Sequence, residues 1–345
     1  MEIVKFNLDT HELLVVAQDE TFSACIAVHS TKLGPALGGI RLRYYNTSKE
    51  MVDDALRLSE GMSYKNAIAG LPFGGGKSVI NAAMWTEEIA AKYAELLNYV
   101  NNELEYFGAP DMNTDNNCMK DILDAGGEKV FYEPNGGDCS LATAYGVYNS
   151  LKAVAQFQNL SGKDFTVNIE GLGKVGAELL ALCSESGWDV CVSDLDKEKA
   201  FAFAGLYSAG YAAPCDIKFL DGVYCPCAIG GTVDKEFVEK SLASAVCGAA
   251  NNQLASLDIG MRLSARSQLY VPDFVANSGG VIAVGVALTT GVEDGFGIDN
   301  PHTEDRIDFI EKQVSSLLEA QTTMVETRNT QLIATKVARE IIYGE

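Results

Sequence analysis

The chain has 345 residues, 47% hydrophobic and 21% charged, with a formal net charge of −21 and a pI near 4.5. That length suits two domains, each able to bury a core. So acidic a chain excludes recognition of nucleic acid or an anionic membrane through its overall field, and an anionic ligand has to be met by local cations.

Residues 13–16 and 24–28 read as two short strands joined by a polar turn. His29 follows the second and reads as a surface or hydrogen-bonded residue. In LGPALGGIRLRYY, residues 33–45, Gly38 and Gly39 can present backbone N–H groups to a carboxylate, and Arg41 adds a fixed charge. The plainer alternative is a strand with a glycine bend. Thr47 and Glu50 fit a capping box. Met51, Val52, Ala55, Leu56 and Leu58 then form the apolar face of a helix predicted to end near Gly61.

GMSYKNAIAGLPFGGGKSVI, residues 61–80, holds Lys65 and Lys77 in an otherwise uncharged, largely apolar run. Its three consecutive glycines, 74–76, let a backbone approach a ligand closely. Two ammonium groups in a poorly solvated cleft disfavour each other's charge, which lowers a lysine pKa toward a value useful for acid–base work. On this reading one lysine grips an anionic substrate and the other moves protons. The alternative is a glycine-rich loop with two lysines whose stems lie on apolar surface.

Thr86 opens another helix, with Ile89, Tyr93, Leu96, Leu97 and Val100 on one side. A short strand then runs into Ala109-Pro110-Asp111, where Asp111 is also open to capping the next helix. The turn-rich residues 133–140, EPNGGDCS, mark a domain boundary.

Beyond the boundary, residues 141–157 look helical. A strand over 165–170 leads into Gly171-Leu172-Gly173-Lys174-Val175-Gly176, a helix follows to Ser186, and a strand over 188–193 ends at Asp194 and Leu195. A strand, a GxGxxG turn, a helix and an acid closing the next strand form a dinucleotide-binding signature. The first glycine makes the turn, the second admits the pyrophosphate, and the third lets helix and strand pack. The helix N-terminus supplies N–H groups to the phosphates. Asp194 would accept both ribose hydroxyls and repel a 2′-phosphate, which favours NAD over NADP. Strands over 223–229, 245–250 and 269–272 end in CPCAIGG, NNQ and DFVANSGGVIAVG, the kind of strand end where an open α/β sheet binds ligands. The chain is helical again from Thr303, with Ile307, Ile310, Val314, Leu317 and Leu318 in register, and a last helix spans about 330–342.

The nine cysteines are odd in number and form no CxxC pair. They read as reduced thiols. The first residues, MEIVKFNLDTHE, lack the basic and apolar regions of a signal peptide, so the expected location is cytoplasmic. His11, His29 and His302 make no metal-ligand spacing, so no metal is expected. The longest uncharged run, near 278–292, is too short and glycine-rich to span a membrane.

LGPALGGIR, GMSYKNAIAGLPFGGGK, PDMNT, TAYGV, GLGKVG, PCAIGG, GAANNQL and PDFVANSGG occur in that order over about residues 30–285. On these motifs the chain resembles the glutamate/leucine/phenylalanine/valine dehydrogenase superfamily. The resemblance implies an α/β fold of two domains with the active-site cleft between them. Residues 1–140 would form a mixed-sheet catalytic and oligomerisation domain, to which a helix over 322–345 returns. Residues 141–321 would form a Rossmann-type doubly wound domain. The implied reaction takes an L-amino acid and NAD reversibly to a 2-oxo acid, ammonium and NADH, in a homo-oligomer.

Carried onto this sequence, the resemblance has Lys65 bind the substrate carboxylate with Gly39 nearby. Lys77 is the general base that activates water, and Asp111 shuttles the amine proton. Asn252 orients substrate or the nicotinamide carboxamide, ahead of Asn251. Thr143, Cys227 and Ala228 line the nicotinamide pocket, and Arg41 contacts the cofactor. Leu37, Ala109, Val281 and Val284 occupy the side-chain pocket. They suit an aliphatic chain such as leucine, valine or isoleucine and offer no lysine or serine to a glutamate side chain. Pro110-Asp111 with Asn113 looks more like phenylalanine dehydrogenases, which keeps an aromatic substrate as the alternative.

Three other classes fit less well. GGGKS resembles a phosphate-binding NTPase loop, but Leu71 stands where its first glycine belongs. A non-enzymatic NAD sensor would need none of Lys65, Lys77 and Asp111. A hydroxy-acid dehydrogenase typically uses a His–carboxylate pair, and the central region holds no histidine.

Overall fold

The computed structural model describes residues 1–133, 138–291, 296–323 and 328–344. Contacts divide the chain into two compact units. One comprises Met1–Gly137, Val284–Glu293 and Ala338–Glu345, the other Asp138–Ala283 and Asp294–Val337.

The first unit holds a six-stranded mixed sheet of β1 (Glu2–Phe6), β2 (Leu13–Gln18), β3 (Ser23–Ser30), β4 (Ala36–Leu42), β5 (Gly74–Ile80) and β6 (Tyr106–Pro110). The order is β1-β2-β3-β5-β4-β6. β1, β2, β3 and β5 pair antiparallel, while β4 runs parallel to both β5 and β6. Three helices belong to this part of the chain, α1 (Ser48–Ile68), α2 (Glu87–Asn101) and α3 (Asn116–Asp124). Leu14, Cys25, Ala27 and Val79 cluster with Met51 and Ala55 of α1. Leu13, Val15 and Ile26 cluster instead with Tyr93 and Leu97 of α2 and Met119 of α3. Both faces are therefore covered, which is why β2 reads as a continuous apolar run rather than an alternation.

The Thr47 hydroxyl accepts the Glu50 N–H at 3.2 Å, and the Glu50 carboxylate accepts the Asn46 N–H at 3.0 Å, so the returning half of the capping box lands one residue early. The helix does not end near Gly61. It continues to Ile68, burying Tyr64, Ala67 and Ile68. One glycine in a helix costs about 1 kcal/mol relative to alanine, and tertiary packing of the last two turns outweighs that. Lys65 therefore lies on a helix. Glycines 74–76 lie in β5, not in a loop. β1 has no counterpart among the elements expected from sequence, and the helix expected after Asp111 is α3.

The second unit holds a six-stranded parallel sheet of β7 (Thr166–Glu170), β8 (Asp189–Ser193), β9 (Gly210–Tyr211), β10 (Gly222–Pro226), β11 (Ala243–Val246) and β12 (Leu269–Tyr270). The order is β12-β11-β10-β7-β8-β9, parallel at every pairing. The chain steps outward from β7 to β9 and then crosses back to β10, so a topological switch point lies between β7 and β10. The remaining helices are α4 (Cys139–Gln158), α5 (Lys174–Glu185), α6 (Lys197–Tyr207), α7 (Lys235–Lys240), α8 (Leu257–Ala265), α9 (Asp273–Ala276), α10 (Gly279–Thr290), α11 (Pro301–Thr323) and α12 (Thr330–Tyr343). The mixed sheet and the doubly wound parallel sheet agree with the two-domain α/β expectation. The segment after β12, read as a glycine-rich strand end, is helical instead. Gly279 lets α10 approach the backbone of α4, since a Cβ there would lie 1.9 Å from the Ala142 carbonyl oxygen.

Among the described residues, no helix is long and apolar enough to cross a membrane, and no group of three or more His, Cys, Asp or Glu could hold a metal. All nine cysteines are free.

Candidate active site

In the first unit β4 lies between β5 and β6, with Gly39 opposite Ala109 and Leu37 opposite Gly75. Lys77 extends from β5 and is 4% exposed. Asp111 follows β6 directly, and its Oδ2 lies 3.0 Å from Lys77 Nζ. A Cβ on Gly39 would sit 2.6 Å from Asp111 Cβ and 2.9 Å from Lys77 Nζ, so the glycine makes room for the pair.

PDMNT fixes Asp111 through its backbone. The Thr114 hydroxyl accepts the Asp111 N–H at 2.9 Å and lies 2.7 Å from the Ile40 carbonyl oxygen. Asn113, at φ +59°, donates to the Leu42 carbonyl oxygen at 3.0 Å. The cap of α3 is Asp115, which accepts the Cys118 N–H at 3.0 Å. The Asp111 carboxylate is thereby left to the cations Lys77 and Arg41.

Burial pushes the Lys77 ammonium below an ordinary lysine pKa; Asp111 pulls it up and Arg41 pushes it down, and the net direction is down. Burial would raise the Asp111 carboxyl, but Lys77 and Arg41 outweigh it and hold the group well below the usual carboxylate range. The site thus pairs an ionised acceptor with a lysine primed to lose its proton. The sequence reading gave Lys65 as the neighbouring cation, whereas Arg41 is the cation on this pair. Lys65 lies in the last turn of α1, half-buried. Leu37 is buried on β4, and Val284 is buried on α10. Val281, in the second unit, is half-buried.

Arg41, expected at the cofactor, belongs to the first unit, where its Nε donates to Asp111 Oδ2 at 2.9 Å and its Nη1 to Asp54 Oδ2 at 3.1 Å. Asp54 and Tyr45 were not singled out from sequence. The pairing of Asp54 with Arg41 and Tyr45, and of Tyr45 with Asn81, joins separate parts of the chain, which no local pattern marks.

The glycine turn of the second unit meets its three requirements. Gly171 has φ +95° and donates its N–H to the Ser193 carbonyl oxygen at 2.7 Å. Gly173 precedes α5 and faces open space, and no side chain caps that helix. A Cβ on Gly176 would lie 1.9 Å from the Gly171 carbonyl oxygen, so only glycine packs there. Gly171 also abuts Ala228 beyond β10, which puts the turn at the switch point. Asp194 accepts the Leu172 N–H at 2.7 Å and the Asp196 N–H at 2.9 Å. Burial opposes its charge, but those N–H groups hold its pKa below the ordinary value. An open helix N-terminus beside an oriented carboxylate fits a dinucleotide.

The other expected residues of this unit fall as follows. Leu195 is 93% exposed. Lys174 is exposed and meets Asp138 at 2.8 Å, and Val175 is half-buried behind it. Cys227 is half-buried, its Sγ 3.8 Å from that of Cys225. Thr143, on α4, donates its hydroxyl to the Cys139 carbonyl oxygen at 2.9 Å. Asn252 has φ +53° and donates its N–H to Asp273 at 2.8 Å, while Asn251 accepts from Asn277 at 2.8 Å.

The family profile described as Glu/Leu/Phe/Val dehydrogenase, dimerisation domain, matches residues 10–126. The valine dehydrogenase of Streptomyces albus is 39% identical over 289 residues, 79% of each chain. The chain belongs to the Glu/Leu/Phe/Val dehydrogenase family. The phenylalanine dehydrogenase of Caldalkalibacillus thermarum is 37% identical over 309 residues, 82% of this chain and 81% of the relative. Among solved structures, the L-tryptophan dehydrogenase of Nostoc punctiforme is similar with a TM-score of 0.80 at 30% identity, over 97% of this chain and 96% of that one. Glu/Leu/Phe/Val dehydrogenases are NAD(P)-dependent oxidoreductases acting on amino acids, and this dehydrogenase is one of them.

Proposed function

We propose that this dehydrogenase oxidises an apolar L-amino acid of the leucine, valine or isoleucine type with NAD, giving the 2-oxo acid, ammonium and NADH. The buried Lys77, 3.0 Å from Asp111 over Gly39, carries the reading. The Lys65 ammonium binds the substrate carboxylate as a charge-assisted contact. Asp111, ionised, takes a proton from the substrate ammonium, which frees the nitrogen lone pair. NAD, when bound, supplies the acceptor for the hydride leaving Cα. Neutral Lys77 then takes a proton from water as the water oxygen bonds to the iminium carbon. Asp111 returns its proton to the nitrogen, and the C–N bond breaks as the hydroxyl proton passes back to Asp111. The departing ammonia takes the Lys77 proton as ammonium, the last proton leaving to solvent. Asn252 orients substrate or the carboxamide. Gly171, Gly173 and Gly176 hold the pyrophosphate at α5, and Asp194 accepts the ribose hydroxyls, which supports NAD as the preferred cofactor.

Leu37, Ala109, Val281 and Val284 supply only apolar surface to the substrate side chain, which favours an aliphatic one. The match to a dimerisation domain supports a homo-oligomer, and nine free cysteines support a cytoplasmic location. A panel of L-amino acids with NAD, followed by NADH absorbance, tests the reading. Leucine, valine or isoleucine should give the highest kcat/KM. A phenylalanine or tryptophan optimum would move the substrate to the aromatic class, and turnover of glutamate alone would sink the proposal.

A further inference from the structure

Beside the groups that meet substrate lies a buried ionic chain. Arg41 is held between two carboxylates, Asp111 at 2.9 Å and Asp54 at 3.1 Å. The side chains of Arg41 and Asp54 are 7% and 10% exposed. Asp54, on α1, is itself saturated: the Tyr45 hydroxyl donates to Oδ2 at 2.6 Å and Arg57 Nη2 to Oδ1 at 2.7 Å. Tyr45 is anchored in turn to Asn81, through its N–H at 2.8 Å and its carbonyl oxygen at 3.2 Å. Taking three charges out of water is costly, and apolar groups of the same volume would often serve stability as well. The chain therefore calls for a reason besides stability.

The contacts at Asp111 supply one. Lys77 and Arg41 both engage Oδ2, so Oδ1 has no hydrogen bond among the described residues. We infer that Arg41 and Asp54 are positioning residues of the dehydrogenase reaction: Asp54 fixes the guanidinium, and the guanidinium fixes Asp111 so that Oδ2 meets Lys77 while Oδ1 stays available to the substrate amine. This rests on the roles proposed above for Lys77 and Asp111, and it replaces a cofactor contact for Arg41.

The same chain sets the charge balance at Lys77. The charged groups bearing on it are Asp111 from the turn after β6, Arg41 from β4 and Asp54 from α1. Tyr106 of β6 stays protonated, because burial holds its hydroxyl above the ordinary range. Arg41 disfavours the charged lysine and Asp54 favours it. The two positioning residues therefore pull the active-site lysine in opposite directions.

The test is the pH dependence of kcat in Arg41→Gln and Asp54→Asn, beside Arg41→Lys. Rate rises with pH as Lys77 loses its proton. Removing the Arg41 charge should move that rise to higher pH, and removing the Asp54 charge should move it to lower pH, each by about one unit. Both variants should lose kcat while KM for NAD changes little. Arg41→Lys restores the charge but not the fork that meets two carboxylates, so its midpoint should return toward wild type while kcat stays low. Wild-type profiles in both charge-removing variants, or shifts of the same sign, overturn the inference. A raised KM for NAD in Arg41→Gln with an unmoved midpoint would return Arg41 to the cofactor site and overturn it as well. Should Arg41→Gln fail to fold, the near-isosteric Asp54→Asn alone decides, by whether its midpoint falls. Full activity in Lys77→Ala would instead mean that the functional reading itself is wrong.

Discussion

Lys77 is where the competing effects of this protein are most evenly matched. Its desolvation and the Arg41 charge favour a neutral amine, the Asp111 carboxylate favours the ammonium, and the first two prevail. A general base must be neutral to act, and its folded-state pKa lies below the ordinary value of about 10.4. Turnover should therefore rise with pH through a midpoint below that value and level off above it. Lys77→Ala should lower kcat by ~100–10,000-fold and abolish the rise. Lys65→Ala should chiefly raise KM for the amino acid, because it removes a contact made equally in ground and transition states. Steady-state kinetics across pH separate the two. Equal losses of kcat in both variants, with the pH rise kept, would mean that the roles are misassigned.

At the scale of elements, the glycines of β5 show what a sequence can and cannot disclose. GGGK reads as backbone shaped for a ligand, yet what approaches it is the protein itself. A Cβ on Gly74 would lie 1.9 Å from the Ser30 carbonyl oxygen, one on Gly75 2.1 Å from the Ser63 nitrogen, and one on Gly76 2.6 Å from the Tyr106 ring. Gly75 seats α1, which carries Lys65, on the strand that carries Lys77, while Gly74 and Gly76 make room for Ser30 and for the Tyr106 ring. Gly75→Ala should cost about 1–3 kcal/mol or more by overpacking. Gly61→Ala, in the same helix but facing open space, should stabilise by about 0.5–1 kcal/mol. Urea unfolding measures both, and matching signs would refute the account. Devices that act within a few residues were legible beforehand, among them the Thr47 cap, the Gly171–Gly176 turn and Asp194 closing β8. The continuation of α1 through Gly61 was not, because it is decided by packing on strands that local propensity does not see. Nor was the Arg41–Asp54–Asp111 chain, whose members come from three separate elements.

Over the whole molecule, a charge of −21 opposes an anionic cofactor, and two effects of different range then set the choice between NAD and NADP. The overall field is long-ranged and acts on the 2′-phosphate, which adds roughly −1.5 to −2 of charge. Salt screens it, since the Debye length falls from about 30 Å at 0.01 M to about 10 Å at 0.1 M. Asp194 is held in a fixed orientation by the N–H groups of Leu172 and Asp196, and the ribose contact proposed for it would act at hydrogen-bond range, where salt screens little. Raising ionic strength should therefore increase kcat/KM more for NADP than for NAD, while a preference for NAD survives. Asp194→Ala should lower kcat/KM for NAD by about 10–100-fold, as expected for losing a hydrogen bond to a charged group. The same change should collapse the preference at low and high salt alike. If salt alone abolishes the preference in the unaltered protein, the overall field and not Asp194 selects the cofactor. If Asp194→Ala keeps the full preference at high salt, the ribose contact assigned to this residue is wrong.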